Sequence, residues 1–285
     1  SGPLLLSLFP FLVVSRLLIQ CPESDLLALP FRLAAWGIGI RTPCAARVLC
    51  SGFLGGIAPA ASAAAQAVRT GQLTAEEADA LLPACICSGP SFVVLTVGQS
   101  LLGSAELGVL LFASQITANY LTAALLNRFA GVHSVKPGSA APASPAPPRL
   151  EEILADAAIT YCKLCGFILF FRLLAAGAGA LLPAGAGTLC AVLLEVCSGC
   201  DLASRTGRLG SLLCCAALSV QGLSVLLQVR TICPPEMTLR PLYWARMLHL
   251  PLSLALFYLL LPGGEADVFS TLPARVLLMR RVPPD

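Results

Sequence analysis

Leu194-Glu195-Val196-Cys197-Ser198-Gly199 places a carboxylate, a hydroxyl and a glycine inside an otherwise apolar run, and Cys50-Ser51-Gly52 echoes it earlier in the chain. Each is followed by a second apolar segment with a small polar, glycine-bearing centre. The first is Cys87-Ser88-Gly89-Pro90-Ser91 and the second is Ser219-Val220-Gln221-Gly222-Leu223-Ser224. Glycine lowers helix propensity by about 1 kcal/mol, and proline removes an amide donor and clashes with the preceding turn. All four points therefore interrupt helices. Paired interruptions in corresponding places of two halves are the pattern of a transporter built from internal repeats.

Composition fixes the class. The 285 residues are 57% hydrophobic and only 12% charged, with a mean hydropathy of +0.84. A soluble domain carries about 25% charged residues, so this chain cannot cover a globule with polar surface. Several apolar runs approach the roughly 20 residues that span a bilayer. The net charge of +3 is dispersed, with no basic stripe for nucleic acid. The thirteen cysteines include Cys162-x-x-Cys165 and Cys197-x-x-Cys200. That spacing suits a zinc site, but in apolar helical sequence cysteine acts as a small hydrophobe at helix contacts. No cofactor is expected beyond an unidentified coupling ion.

The chain opens at Ser1 inside an apolar run, with Leu4 to Ile19 expected to span; whether a helix precedes it is left open, and a cleaved signal peptide is the weaker reading. Cys21 to Arg47, rich in proline and arginine, is expected at the interface with Trp36 as anchor. Val48 to Val68 reads as a re-entrant hairpin with its tip at Ser51-Gly52. Gly71 and the Thr74–Glu77 capping box mark a polar turn. Asp79 to Leu102 spans with a break at Ser88-Gly89-Pro90, and Leu107 to Arg128 spans again. The linker 131–148, rich in alanine, serine and proline, has nothing to bury. It separates a first repeat (1–130) from a second (149–262), followed by a tail (263–285). In the second repeat Ile153 to Leu174 spans and Gly177 to Thr188 matches the interfacial stretch. Leu189 to Arg208 carries the second tip, Gly210 to Ile232 breaks at Gln221, and Pro241 to Leu261 closes the repeat. The expected fold is an all-α integral membrane protein: an inverted repeat of three spanning helices plus a re-entrant hairpin, with discontinuous helices. Arginine and lysine are richer on the face holding Arg32, Arg41, Arg47, Arg69 and Arg128, which is then cytoplasmic.

Glu195 is the sharpest single residue, because an ionised side chain near the bilayer centre costs about 3 kcal/mol. It is either a proton or cation coupling site, an acceptor that holds the hairpin tip, or a glutamate that snorkels outwards. Helices that start in mid-membrane expose free amide donors and about half a positive charge. Four such ends suit a small carboxylate-bearing solute. The candidate substrate-binding residues are Ser51, Gly52, Ser88, Gly89, Pro90, Ser91, Glu195, Ser198, Gly199, Gln221, Gly222 and Ser224. Gln115 and Gln228 are candidate path-lining residues and His249 a packed histidine. Lys163 is expected to snorkel rather than pair with Asp156. No nucleophile-base pair, phosphate loop or metal cluster stands out, so no enzyme is expected.

These segments, with Gly71-Gln72-Leu73-Thr74-Ala75-Glu76-Glu77-Ala78 and Gly222-Leu223-Ser224-Val225-x-x-Gln228, resemble the YlbJ-type sporulation integral membrane proteins. That group carries nucleoside-recognition ("gate") domains and is related to concentrative nucleoside transporters. The resemblance runs over almost the whole chain. It implies export of dipicolinate, a small aromatic dianion, from the mother cell across the outer forespore membrane during endospore formation. The chain departs from the family pattern at Ser51-Gly52-Phe53-Leu54-Gly55-Gly56-Ile57, where the family has Ser-Gly-Tyr-Pro-x-Gly-Ala, and at Ala84-Cys85-Ile86-Cys87, where it has an asparagine-rich run. An ion-coupled carrier of a nucleoside-like solute and a non-transporting scaffold for spore assembly are the alternatives. The expected partners are the small organic anion and the lipid bilayer, with a homo-oligomer left open.

Overall fold

The computed structural model describes residues 2–21, 24–130 and 149–261. The linker 131–148 and the tail 263–285 lie outside the described residues. The described residues are helical, with no β-strand beyond one isolated bridge. A long helix α1 (Gly2–Gln20) leads into α2 (Asp25–Gly37), then a helix pair α3 (Pro43–Gly55) and α4 (Ile57–Arg69). A short α5 (Ala75–Leu81) tightens into a 3₁₀ turn (Leu82–Cys85). After an irregular stretch, a π-helix (Ser91–Leu101) and the long α6 (Ala105–Ala130) follow. Beyond the linker come α7 (Leu150–Leu181), the pair α8 (Ala184–Leu194) and α9 (Val196–Ser204), α10 (Gly210–Val220), α11 (Gly222–Ile232) and α12 (Arg240–Leu260).

Three helical stretches are long and apolar enough to cross a membrane: Ala105–Ala130, Leu150–Leu181 and Gly210–Ile232. Large apolar side chains such as Leu169, Phe170 and Leu173 on α7 and Trp244 and Met247 on α12 face outwards. In water such a surface would aggregate, whereas in lipid it is the expected exterior. The chain is an all-α membrane protein.

The same sequence of parts occurs on each side of the linker: a long helix, a pair of short helices, an interrupted helix and a final long helix. Small residues make the packing possible. In α4, Ala60, Ala61, Ala63, Ala64, Ala65 and Ala67 are fully buried, so neighbouring helices reach its backbone on every side. Gly98 and Gly108 let the π-helix and α6 touch backbone to backbone, since a Cβ on Gly98 would lie 2.4 Å from the Gly108 Cα. The turn after α4 is a Schellman motif: Gly71 N–H donates to Val68 O at 3.1 Å and Gln72 N–H to Ala67 O at 2.8 Å. The capping box is formed, with Glu77 N–H on Thr74 Oγ1 and Thr74 N–H on Glu77 Oε2, both at 3.1 Å.

Two expectations are corrected. The bend of the first helix pair is at Gly56 (φ +85°), not at Ser51-Gly52. Ser51 stays helical, returning its hydroxyl to Arg47 O at 3.0 Å, and only a glycine adopts the Gly56 conformation without strain. The interfacial stretch has no counterpart in the second half, because α7 continues to Leu181 and α8 starts at Ala184. As expected, Lys163 does not pair with Asp156; Asp156 Oδ2 instead accepts Arg16 Nη1 at 2.9 Å, joining α1 to α7.

Gly56 and Gly103 give a contrast that tests the first bend. Both have positive φ, but a Cβ on Gly56 would lie 2.8 Å from the Gly89 backbone nitrogen while Gly103 has open space. Gly103→Ala is expected to cost about 1 kcal/mol and Gly56→Ala about 3 kcal/mol or more. Thermal melting of the detergent-purified variants reads the difference, and equal shifts would contradict the packing described.

Candidate functional site

The two helix interruptions meet. Gln221 lies between α10 and α11 in a left-handed conformation (φ +61°), a state that costs a non-glycine residue about 1 kcal/mol or more. Its side chain holds it there, Nε2 donating to Leu218 O at 2.8 Å and to Ser88 Oγ at 3.2 Å. Ser88 belongs to the interruption in the first half, so this bond links the two halves at their breaks.

Each break is also seated on the bend of its own half's helix pair. Gly56 bridges Ser88 as an isolated antiparallel bridge, with Ile57 N–H donating to Cys87 O at 3.1 Å. In the second half Gly222 (φ +72°) lies against Leu194 and Glu195, where a Cβ would come within 2.8 Å of the Glu195 nitrogen and the Leu194 carbonyl. Backbone groups freed by a break are thus brought to another irregular backbone rather than left in an apolar medium.

Glu195 is the acceptor that holds the second bend. It is extended (φ −154°, ψ 126°), is 2% exposed, and caps α9. Its Oε1 accepts Cys197 N–H at 2.8 Å, and its Oε2 accepts Ser198 N–H at 2.8 Å and Ser198 Oγ–H at 2.9 Å. The carboxylate therefore neutralises the positive end of α9 from within. No side chain caps α11 or the π-helix.

The remaining candidates divide. Gly89 accepts Phe92 and Val93 N–H through its carbonyl, both at 3.1 Å, so Pro90 and Ser91 start the π-helix beside the junction. Gly52 and Gly199 face helices rather than the junction: a Cβ on Gly52 would lie 2.6 Å from Cys85 Sγ, and one on Gly199 2.8 Å from Val192 Cα. Ser51 is buried within α3. Ser224 is buried in α11 and receives Gln228 Nε2 at 3.0 Å. The cysteines are free. Among the described residues no group of three or more metal-binding side chains gathers. In the loop after α11, burial pushes the Cys233 thiol up to about 12, with Asp79 adding to the effect, so it packs rather than reacts.

Arg246 was not anticipated. It lies on α12, is 8% exposed, and donates Nη1 to Val220 O at the end of α10. Its Nε and Nη2 are buried without a partner among the described residues, and no carboxylate pairs with it there. Five residues of α6 and α12 share this condition: Gln115 (Oε1), Asn119 (Oδ1 and Nδ2), Thr122 (Oγ1), Arg246 (Nε and Nη2) and His249 (Nδ1). They are tied to the break of the second half, with Gln115 Nε2 on Ser219 Oγ at 2.9 Å and His249 Nε2 against Gln115 O at 3.3 Å. Asn119 reaches the Cys87 side chain at the other break, a contact to the thiol that leaves its amide short of a nitrogen or oxygen partner. Each buried polar atom left unpaired costs about 1–3 kcal/mol.

The signal for it was periodic. Gln115, Asn119 and Thr122 recur at helical spacing, as do Arg246, His249 and Ser253.

The chain matches no protein-family model, no curated protein and no solved structure.

The cap makes Glu195 a stability residue first. Glu195→Ala should lower the folding stability by about 1–2 kcal/mol, whereas Glu195→Gln, which keeps one acceptor, should lose less. Melting temperatures in detergent measure both. An alanine variant as stable as the parent would remove Glu195 from the bend.

Proposed function

We propose that the two halves are inverted repeats, that the pairs α3–α4 and α8–α9 are re-entrant hairpins, and that the junction of the breaks is the solute site of a membrane carrier or facilitator. The observation that carries this reading is the convergence of two interrupted helices, Ser88 against Gln221 at 3.2 Å, beside a buried set of unpaired polar atoms on α6 and α12. Irregular backbone at membrane depth belongs where protein buries it or a polar cavity faces it, and in carriers built from repeats that place is the substrate site.

The proposed substrate is a small organic anion. Arg246 supplies a permanent positive charge with two free donor nitrogens, and a guanidinium fork matches a carboxylate. The starts of α11 and the π-helix, free of side-chain caps, add positive dipole ends. Dipicolinate, with two carboxylates on one ring, fits both kinds of donor. The resemblance to YlbJ-type proteins supports this substrate and a place in the outer forespore membrane. A second reading, a neutral nucleoside-like solute, is favoured by Glu195: the α9 start is already occupied by a carboxylate, so one of the helix ends suited to an anion is spent.

Proteoliposomes decide between them. The proposal expects uptake of dipicolinate that is saturable, and loss of at least about 90% of it in Arg246→Gln, the loss expected when one charged hydrogen bond to the substrate disappears. The variant must remain monodisperse, and Arg246→Lys should restore part of the uptake. Uptake of uridine but not dipicolinate would replace the anion by a nucleoside. No transport of either, with folded protein, would leave the scaffold reading.

A further inference from the structure

We infer that a basic cleft between α1, α4, α7 and α11, away from the junction of the breaks, binds the phosphate headgroup of an anionic lipid. The cleft measures about 170 Å³ and is lined by Arg16, Arg69, Lys163 and Asp156 together with apolar residues such as Leu164 and Phe167. Three cations face one carboxylate. That carboxylate is engaged by Arg16 alone, at 2.9 Å. Lys163 forms no ion pair among the described residues, and Arg69 gives only Nη2 to the Ile232 carbonyl, at 3.3 Å.

Two buried donors point to a ligand independently of the charge count. Arg16 is 6% exposed and its Nε has no partner among the described residues, and the Ser62 hydroxyl, also lining the cleft, is in the same state. A phosphate offers several acceptor oxygens and satisfies both donors together with the two freer cations.

The choice of lipid over a soluble phosphate comes from the shape of the lining. Asp156, Thr160, Lys163 and Phe167 follow one another at helical spacing along α7, so charged, polar and apolar lining residues share a single helix face. Beyond it α7 presents Leu169, Phe170 and Leu173 outwards. The cleft is too small for a whole lipid, so the headgroup enters and the chains lie along α7. Position agrees, since Arg69 and Ile232 sit in the last turns of α4 and α11, Arg16 one turn before the end of α1, and Asp156 in the second turn of α7. That is where headgroups meet helix ends.

The test is native mass spectrometry of the full chain released from micelles containing either phosphatidylglycerol or phosphatidylcholine, with inorganic phosphate as competitor. The parent protein should retain phosphatidylglycerol selectively. The double variant Arg69→Gln, Lys163→Gln should retain it about thirtyfold more weakly, the effect of removing two surface cations. Arg205→Gln, which alters a cation bound to Asp201 instead, should leave retention unchanged. Retention unaltered in the double variant would overturn the proposal and leave the cations as neutralisers of the helix C-terminal ends. Displacement of the adduct by inorganic phosphate would overturn the lipid assignment in favour of a soluble anion. Both outcomes are independent of transport.

Discussion

A helix that stops inside a membrane frees backbone donors and acceptors where no water can take them. This chain stops two helices, at 86–90 and at Gln221, and seats each stop on the bend of a helix pair. Gly56 meets Ser88 and Gly89, and Leu194-Glu195 meets Gly222. The short helices, the glycines at the bends and the all-alanine face of α4 follow from that need for close backbone approach. A wider side chain at any of these contacts would part backbone groups that have few other partners.

The two buried charges beside the second break are handled in opposite ways. Glu195 spends its carboxylate on the Cys197 and Ser198 amides and the Ser198 hydroxyl, so its charge is balanced locally by the α9 start. Arg246 reaches the Val220 carbonyl and has two nitrogens without a partner among the described residues. Pairing the two with each other would have been the cheaper solution for stability, since breaking or stranding a buried charge is costly. Their contacts fall two residues apart on the second break, Arg246 on the Val220 carbonyl and Glu195 against Gly222. A further buried carboxylate, Asp79, is wholly structural: it accepts Thr238 N–H at 2.8 Å, Thr238 Oγ1–H at 2.7 Å and Leu239 N–H at 3.1 Å, tying α5 to the start of α12.

What could be read in advance was local. Proline and glycine announced the breaks at Ser88-Gly89-Pro90 and Gln221-Gly222, and the capping box at Thr74 announced α5, because these act through the chain's own neighbouring backbone. Glycine alone did not locate the first bend: Gly52, Gly55 and Gly56 are equal on paper, and only the contact with Ser88 selects Gly56. The echo of Ser51 and Ser198 misled for the same reason. One precedes its bend and lies within α3, while the other follows its bend and is part of the α9 cap. Partners distant in sequence were invisible altogether, such as Arg16 with Asp156 or Arg246 with Val220. The meaning of Arg246 depended on which carbonyl it would find and which carboxylate it would not.

The central claim is that the breaks of the two halves touch inside the membrane. It is tested most directly by photo-cross-linking in the intact bilayer from a diazirine side chain installed at Gln221, with the adducts mapped by peptide mass spectrometry. The contact described here predicts adducts within residues 86–90 of the same chain. Adducts confined to lipid, or to segments away from 86–90, would contradict it.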